Sequence, residues 1–511
     1  MRRLAPIAPL LALLAVYQLS LLGTGTYSFQ DEVRYKSAVN ALMDFVHGDL
    51  HGGVFEIARM GSRPGETFVK MIPAALQFIP HVFGITPANP RSLLIPTAGN
   101  VVMSVAIVFL LYRIALLTFE ADTMIALVVA IVYSLLVNTS VYVRHLFPYD
   151  WSLVLLMYAL WSVLSGSATP RHAVVIGVLA AFAVTVYPGY YPMAGVVGIV
   201  LVGRTDGART AVRAAVAFAL GCLAVLAPVE LLSRLGGFSF VLGARELTTT
   251  ITLGSFEEGW AFLPRYLRDV EGDAGALLGV GFVVYAARAA VTIWRERRLR
   301  PIDWLVLPAV AAWMWQAAGA SQLHWMVLYG RLIHPWFLFL TLALGDAILV
   351  MRRGALRAAV CAAVVLTALV SWAPSAAAYR RLAYPADVAY QLGADTNRIS
   401  ERHMPCELEP WGILYRYASP PPLNRDTGAP YSGDANYLLV NFCFGQPKPG
   451  AFEPIAAPPG ARLVYEAPHF LTFPAYGFEG YRPEERRDLI ERRYTVRAFR
   501  TAEAASTAGD R

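Results

Sequence analysis

Charge is what this chain has least of. Asp, Glu, Lys and Arg make up 15% of its 511 residues, where a soluble globular chain carries about 25%. Hydrophobic residues reach 56%. So much apolar surface with so little charge excludes a soluble enzyme built on one or two cores, and it excludes a disordered chain. Cysteine is scarce as well, with four in the whole chain, too few for a disulfide scaffold. The positive surplus is small, 43 Lys and Arg against 36 Asp and Glu. It falls in short loops rather than in a patch, so no nucleic-acid partner is expected. What remains is an all-α polytopic membrane protein, because apolar runs of about 20 residues can bury against lipid.

Those runs are present. Met1, Arg2 and Arg3 precede an apolar stretch from Leu4 to Leu22. It is longer than the ~7–15 residues of a cleaved signal, so a retained first span is expected. Further runs lie near 92–117, 122–141, 149–165, 172–187, 189–203, 211–233, 274–294, 302–319, 328–350 and 355–374, which makes about 11 spans. Tyr187 to Pro192 interrupts the 172–203 stretch, which is either two short spans or a re-entrant pair. With the N-terminus in the cytoplasm, Arg113, Arg171, Arg204, Arg209, Arg213, Arg295, Arg297, Arg298, Arg300, Arg352, Arg353 and Arg357 all fall on the cytoplasmic side. The loops 24–91, 142–149 and 234–273, and the tail from about residue 375, then face outward.

The tail changes character, being rich in Pro and in charges of both signs. Asn436–Phe444 reads as a buried strand, Pro483–Tyr494 as a short helix and Tyr494–Thr501 as a strand. Two domains are therefore expected, a membrane module over 1–375 and a small α/β extracytoplasmic domain over 376–511. Cys406 and Cys443 lie in that tail and would pair in an oxidising space.

Candidate chemistry gathers in the outward loops. Asp31-Glu32-Val33-Arg34-Tyr35 follows the first span directly, and helical spacing places Asp31 on one face with Arg34 and Tyr35. Ala38, Ala41, Leu42 and Phe45 behind it form an apolar stripe that suits a helix lying in the membrane interface. Arg63 opens a second amphipathic stretch that carries Glu66 and Lys70 on one side, with Phe68, Ile72, Ala75, Leu76 and Ile79 on the other. Cations at such a helix start suit a lipid phosphate. Asp150 stands at the mouth of an apolar span, with Arg144 and His145 just before it. His324, Trp325, Tyr329, Arg331 and His334 enter a later one.

In this order the motifs resemble the GT-C glycosyltransferases, in the branch of the protein O-mannosyltransferases and lipid A aminoarabinose transferases. Asp31-Glu32-Val33-Arg34-Tyr35 matches that branch's Asp-Glu-x-Arg-Tyr motif. Arg63-Pro64-Gly65 stands where it has Lys-Pro-Pro, and Arg331-Leu332-Ile333-His334-Pro335 where it has Arg-Tyr-x-x-Pro. The resemblance implies a bacterial inner-membrane enzyme. It would move a sugar from a polyprenyl-phosphate donor to a glycan, lipid or protein hydroxyl at the periplasmic face, with inversion. It implies Asp31, Glu32 and Asp150 as catalytic acids, with Asp31 the general base. Arg34, Arg63, Lys70 and Arg331 would bind the donor phosphate, and Tyr35, His145 and His334 the acceptor. Asp31 and Asp150 would also be the ligands of any divalent metal ion. The alternatives are a transporter or flippase for lipid-linked glycans and a protein like the O-antigen ligases.

Overall fold

The computed structural model describes residues 6–23, 27, 29–59, 63–84, 90–166, 169–245, 258–351, 354–392, 399–403, 437–441, 457, 459–479, 481–492 and 494–500. Cys406 and Cys443 lie outside the described residues, so the expected pair does too.

Helices dominate. In chain order they are α1 (Ala8–Leu19), α2 (Tyr35–Val46), α3 (Leu50–Ala58), α4 (Pro64–Gln77), α5 (Leu94–Thr118), α6 (Thr123–Ser134), α7 (Val137–Val141), α8 (Tyr149–Ser165), α9 (Pro170–Val186), α10 (Tyr191–Gly203), α11 (Ala208–Leu235), α12 (Phe262–Asp269), α13 (Gly272–Glu296), α14 (Asp303–Ser321), α15 (Gly330–Ile348), α16 (Gly354–Arg380), α17 (Pro385–Gln391), α18 (Pro474–Gly477) and α19 (Pro483–Arg492). Five of them, α5, α11, α13, α15 and α16, are long and apolar enough to cross a membrane. Shorter apolar helices, α1, α6, α8, α9 and α10, occupy five more of the runs. This is the build of a membrane protein. Pro188 and the turn around it separate α9 from α10, where Pro cannot continue a helix.

Helix α4 is amphipathic in the inverted sense. Phe68, Ile72, Leu76 and Ile79 on and just beyond it are exposed, while Arg63, Glu66, Thr67, Lys70 and Gln77 are buried. An apolar face turned outward is stable against lipid, and a buried polar face demands partners inside the protein. Helix α2 does the opposite: its Ala38 and Ala41 are fully buried.

Close approach of α9 and α11 rests on two glycines. A Cβ on Gly177 would lie 2.1 Å from the Phe218 carbonyl oxygen, and one on Gly221 2.1 Å from that of Val174. Small residues at such crossings let backbones meet without a hydrophobic driving force. At the ends of α13 and α15, Arg300 bonds Asp303 at 2.8 Å and Asp346 at 2.9 Å, and Arg288 reaches Asp346 at 3.0 Å. These charges are mutually paired, as buried charge must be.

Among the described residues four strands follow: β1 (Ile399–His403), β2 (Tyr437–Asn441), β3 (Arg462–Pro468) and β4 (Thr495–Arg500). The sheet order is β1-β2-β4-β3, with β1 and β2 parallel and the other pairs antiparallel. Leu439, Val496 and Ala498 pack with Ala383, Ala386 and Val388 around α17. The expected boundary at 375/376 falls within α16. Phe470, Phe473, Tyr476 and Phe478 share one apolar core with the long helices. The Gly330 N–H donates to the Phe478 carbonyl at 3.0 Å, which ties that segment to the start of α15.

Gly221→Val is expected to lower the detergent melting temperature, since overpacking costs about 1–3 kcal/mol; a wild-type melting curve would contradict the close crossing.

Candidate functional site

The chain leaves α1 and turns through a short 3-10 segment, Gln30–Arg34, before α2. Phe29 anchors that turn. Its ring sits 4.8 Å from His145, 5.4 Å from Phe147, 5.2 Å from Phe470 and 5.5 Å from Tyr476. The two adjacent acids then diverge. Glu32 turns inward and is 1% exposed. It accepts the Phe29 N–H at 2.5 Å and the Leu146 N–H at 3.0 Å, and lies 3.3 Å from His145 Nδ1. Burial works against its charge, but His145 and the two N–H donors hold the carboxyl below its ordinary range. His145 Nε2 meets the Tyr476 hydroxyl at 2.7 Å, and that hydroxyl lies 3.0 Å from Tyr379 and 2.9 Å from Tyr384. Glu32 and His145 thus tie the first long connection to the second and to the tail.

Asp31 turns the other way and keeps its side chain 30% exposed. Arg34 Nη2 lies 3.4 Å from one carboxylate oxygen and Arg331 Nη1 3.2 Å from the other. Burial alone would raise the carboxyl. Arg34, Arg331 and Arg63 overcome it and hold the group at about 2.

Arg331 is bound on several sides. Nη1 also donates to the Tyr149 hydroxyl at 2.6 Å, and Nε lies 3.2 Å from a Glu479 oxygen. The other Glu479 oxygen accepts the Arg331 backbone N–H at 2.9 Å and the Tyr142 hydroxyl. Glu479 therefore satisfies one of the open donors at the start of α15 from nearly 150 residues away.

Arg63 stands at the start of α4 over the Tyr187 ring, 5.1 Å from its centroid, with Glu66 3.8 Å away. Gly65 is required here, because a Cβ would lie 2.3 Å from Thr185 Oγ1 and 2.7 Å from the Thr185 carbonyl carbon. Arg34 Nη1 and Arg63 Nε are buried and meet no acceptor among the described residues. Buried donors left open in this way suit an incoming anion.

Lys70 sits deeper, 1% exposed, donating to the Phe147 carbonyl at 3.2 Å. Burial lowers it to about 8, against the pull of Glu66, Glu32 and Asp150. It balances buried acids. Asp150 and His334 form a second pair at 3.4 Å, with the Tyr133 hydroxyl 3.3 Å from His334 Nε2 and the Asn138 amide oxygen on Nδ1. Asn138 is itself fixed, its N–H donating to Glu271 at 3.0 Å. Tyr35 has its partners elsewhere: its hydroxyl donates to Gln77 at 2.9 Å, and its ring packs with Tyr27, Ala38 and Leu93.

The structure thus gathers Asp31, Arg34, Arg63 and Arg331 at one place and sets Asp150 with His334 beside it, Tyr149 linking the two through the chain. Tyr149, Tyr142, Asn138 and Glu479 were not foreseen. Tyr149 adjoins Asp150 in sequence and was findable; Glu479 carries no local signal. Among the described residues no three His, Cys, Asp or Glu side chains converge, and Asp31 stands in a field of three guanidinium groups that would repel a cation.

No family model matches the chain, and no curated protein matches it.

Glu479→Ala is expected to destabilise the protein by about 3 kcal/mol, because it takes from the buried Arg331 charge the more buried of its two carboxylate partners. Glu479→Gln, which can keep both bonds of the shared oxygen, should cost clearly less. Equal melting temperatures for both variants and wild type would contradict the role.

Proposed function

We propose that the protein is an integral-membrane glycosyltransferase of the GT-C type. It moves a sugar from a polyprenyl-phosphate donor to a hydroxyl of an envelope glycan, lipid or protein. The observation that carries the reading is one ionised, partly exposed carboxylate ringed by three arginines, each of which has a buried nitrogen without a hydrogen-bond partner among the described residues. Transfer of a sugar off a phosphate needs a base for the acceptor hydroxyl and cations for the departing phosphate.

On this reading the chain crosses the membrane 11 times with its N-terminus in the cytoplasm, and the tail lies in the periplasm. The lipid-facing side of α4 borders the polyprenyl chain and its buried polar side borders the phosphate. The acceptor oxygen attacks the anomeric carbon as Asp31 takes its proton. The bond from that carbon to the phosphate oxygen breaks, and the electron pair leaves with the phosphate toward Arg34, Arg63 and Arg331. The sugar carbon inverts. Asp150 and His334 orient the acceptor.

Asp31 at about 2 is a weak base. The donor phosphate corrects this by drawing the guanidinium charge to itself, so that Asp31 gains basicity only when donor is bound. The sign follows. A carboxyl held low stays charged until the pH falls through about 2, and loss of an arginine moves that point up toward its ordinary 3.8.

Asp31→Asn should abolish transfer in membranes while the protein still folds, and Arg34→Gln should weaken donor use and shift the acid limb of the pH–rate profile upward. Wild-type transfer by Asp31→Asn would remove the proposed base. An unmoved limb in Arg34→Gln would remove the coupling.

A further inference from the structure

A cavity of about 440 Å³ opens beside Tyr379 and Tyr384, whose hydroxyls meet that of Tyr476. It lies between the end of α1, the end of α16 and the tail, and Ser20, Arg144, Arg380, Tyr384, Asp387 and Tyr465 are among its walls. Its size is that of a small-ligand site.

The walls carry unbalanced charge. Arg144 and Asp387 form a buried pair at 2.6 Å, with the Arg144 guanidinium 3.3 Å above the Tyr384 ring. That pair is neutral in sum. Gly23 lets the chain close over it, with φ +66° and no room for a side chain: a Cβ would lie 2.3 Å from the Asp387 carboxylate. Arg380 is different. It is exposed, donates to the Ser20 hydroxyl at 3.1 Å, leans on the Tyr17 ring at 5.3 Å and joins no ion pair among the described residues. Among the described walls Arg144, Asp387 and Arg380 sum to one positive charge.

Its depth is set by the helices. Arg380 is the last residue of α16 and Arg381 follows it, while Arg357 lies in the first turn of the helix and Arg352 and Arg353 precede it in sequence. Basic residues thus flank both ends of one span, against the usual one-sided bias. An anion at the second end supplies a reason. Back along the two helices from that end, α1 exposes Leu13, Val16 and Leu19, and α16 exposes Leu366, Leu369 and Val370 in its middle. Tyr17 and Trp372, with ring centroids 5.0 Å apart, join the two helices. Polar cavity and apolar flank lie in the order of a phospholipid's headgroup and chains.

We propose that this cavity binds one anionic phospholipid, its phosphate on Arg380 and Ser20 and its chains along α1 and α16. The lipid bridges α1, α16 and the tail segment that carries Asp387 and Tyr465. It clamps the tail whose Glu479 holds Arg331. The site is independent of the sugar-transfer reading and is tested without it.

Native mass spectrometry of the detergent-purified full chain, titrated with phosphatidylglycerol, phosphatidylcholine or inorganic phosphate, decides the matter. Wild type should retain one phosphatidylglycerol more firmly than phosphatidylcholine. Arg380→Gln should weaken that retention about fivefold, the effect of one arginine near an anionic headgroup. Ser20→Phe, which fills the cavity and spares the Arg144–Asp387 pair, should weaken it as well, and Arg209→Gln, on a distant exposed helix start, should not. Equal retention of the two lipids, unchanged retention in both cavity variants, or displacement of the lipid by low concentrations of inorganic phosphate would overturn the proposal.

Discussion

The guanidinium of Arg331 is the group on which the site depends. It is buried and stays charged, and a charge in that position is stable only while it is paired. Asp31 answers from the first long connection, Tyr149 from the start of α8 and Glu479 from the tail. Three distant parts of the chain are therefore held in register by one cation. The same contacts leave Asp31 ionised and partly open, beside donors on Arg34 and Arg63 that meet no acceptor among the described residues.

Lipid shapes the rest. Helix α4 can bury Arg63, Glu66 and Lys70 because its apolar side has somewhere else to go. A water-facing helix with that pattern would turn over. The inversion turns the cations of α4 toward the inside of the protein, beside Asp31 and Arg34. Glu32 and Asp31 show how one residue of offset separates structure from chemistry. Glu32 is tied down by two backbone N–H groups and His145, whereas Asp31 is held by side chains alone.

Much of this was legible in the sequence. The apolar runs located the helices, because about 20 apolar residues have few other uses. Tyr187 to Pro192 marked the break between α9 and α10 through its prolines. The strand at Tyr437–Asn441 and the helix at Pro483–Arg492 followed from their periodicity. Of the candidate residues, Asp31, Arg34, Arg63 and Arg331 come together, and Asp150 meets His334. Tyr35 and His145 show the limit of spacing: Tyr35 shares a helical face with Asp31 yet bonds Gln77, and His145 serves Glu32 and Tyr476. Glu479 was invisible because its meaning comes only from the docking of the tail on α15. A sharp composition change suggested a separate domain, and composition says nothing of where a segment packs.

The most direct measurement of the central claim is the glycan and lipid profile of cells lacking this protein. Mass spectrometry of the envelope should show one product short of a sugar and a polyprenyl-phosphate sugar accumulating on the outward side of the membrane. An unchanged profile would contradict the account. So would accumulation of a lipid-linked glycan on the cytoplasmic side, the mark of a missing flippase.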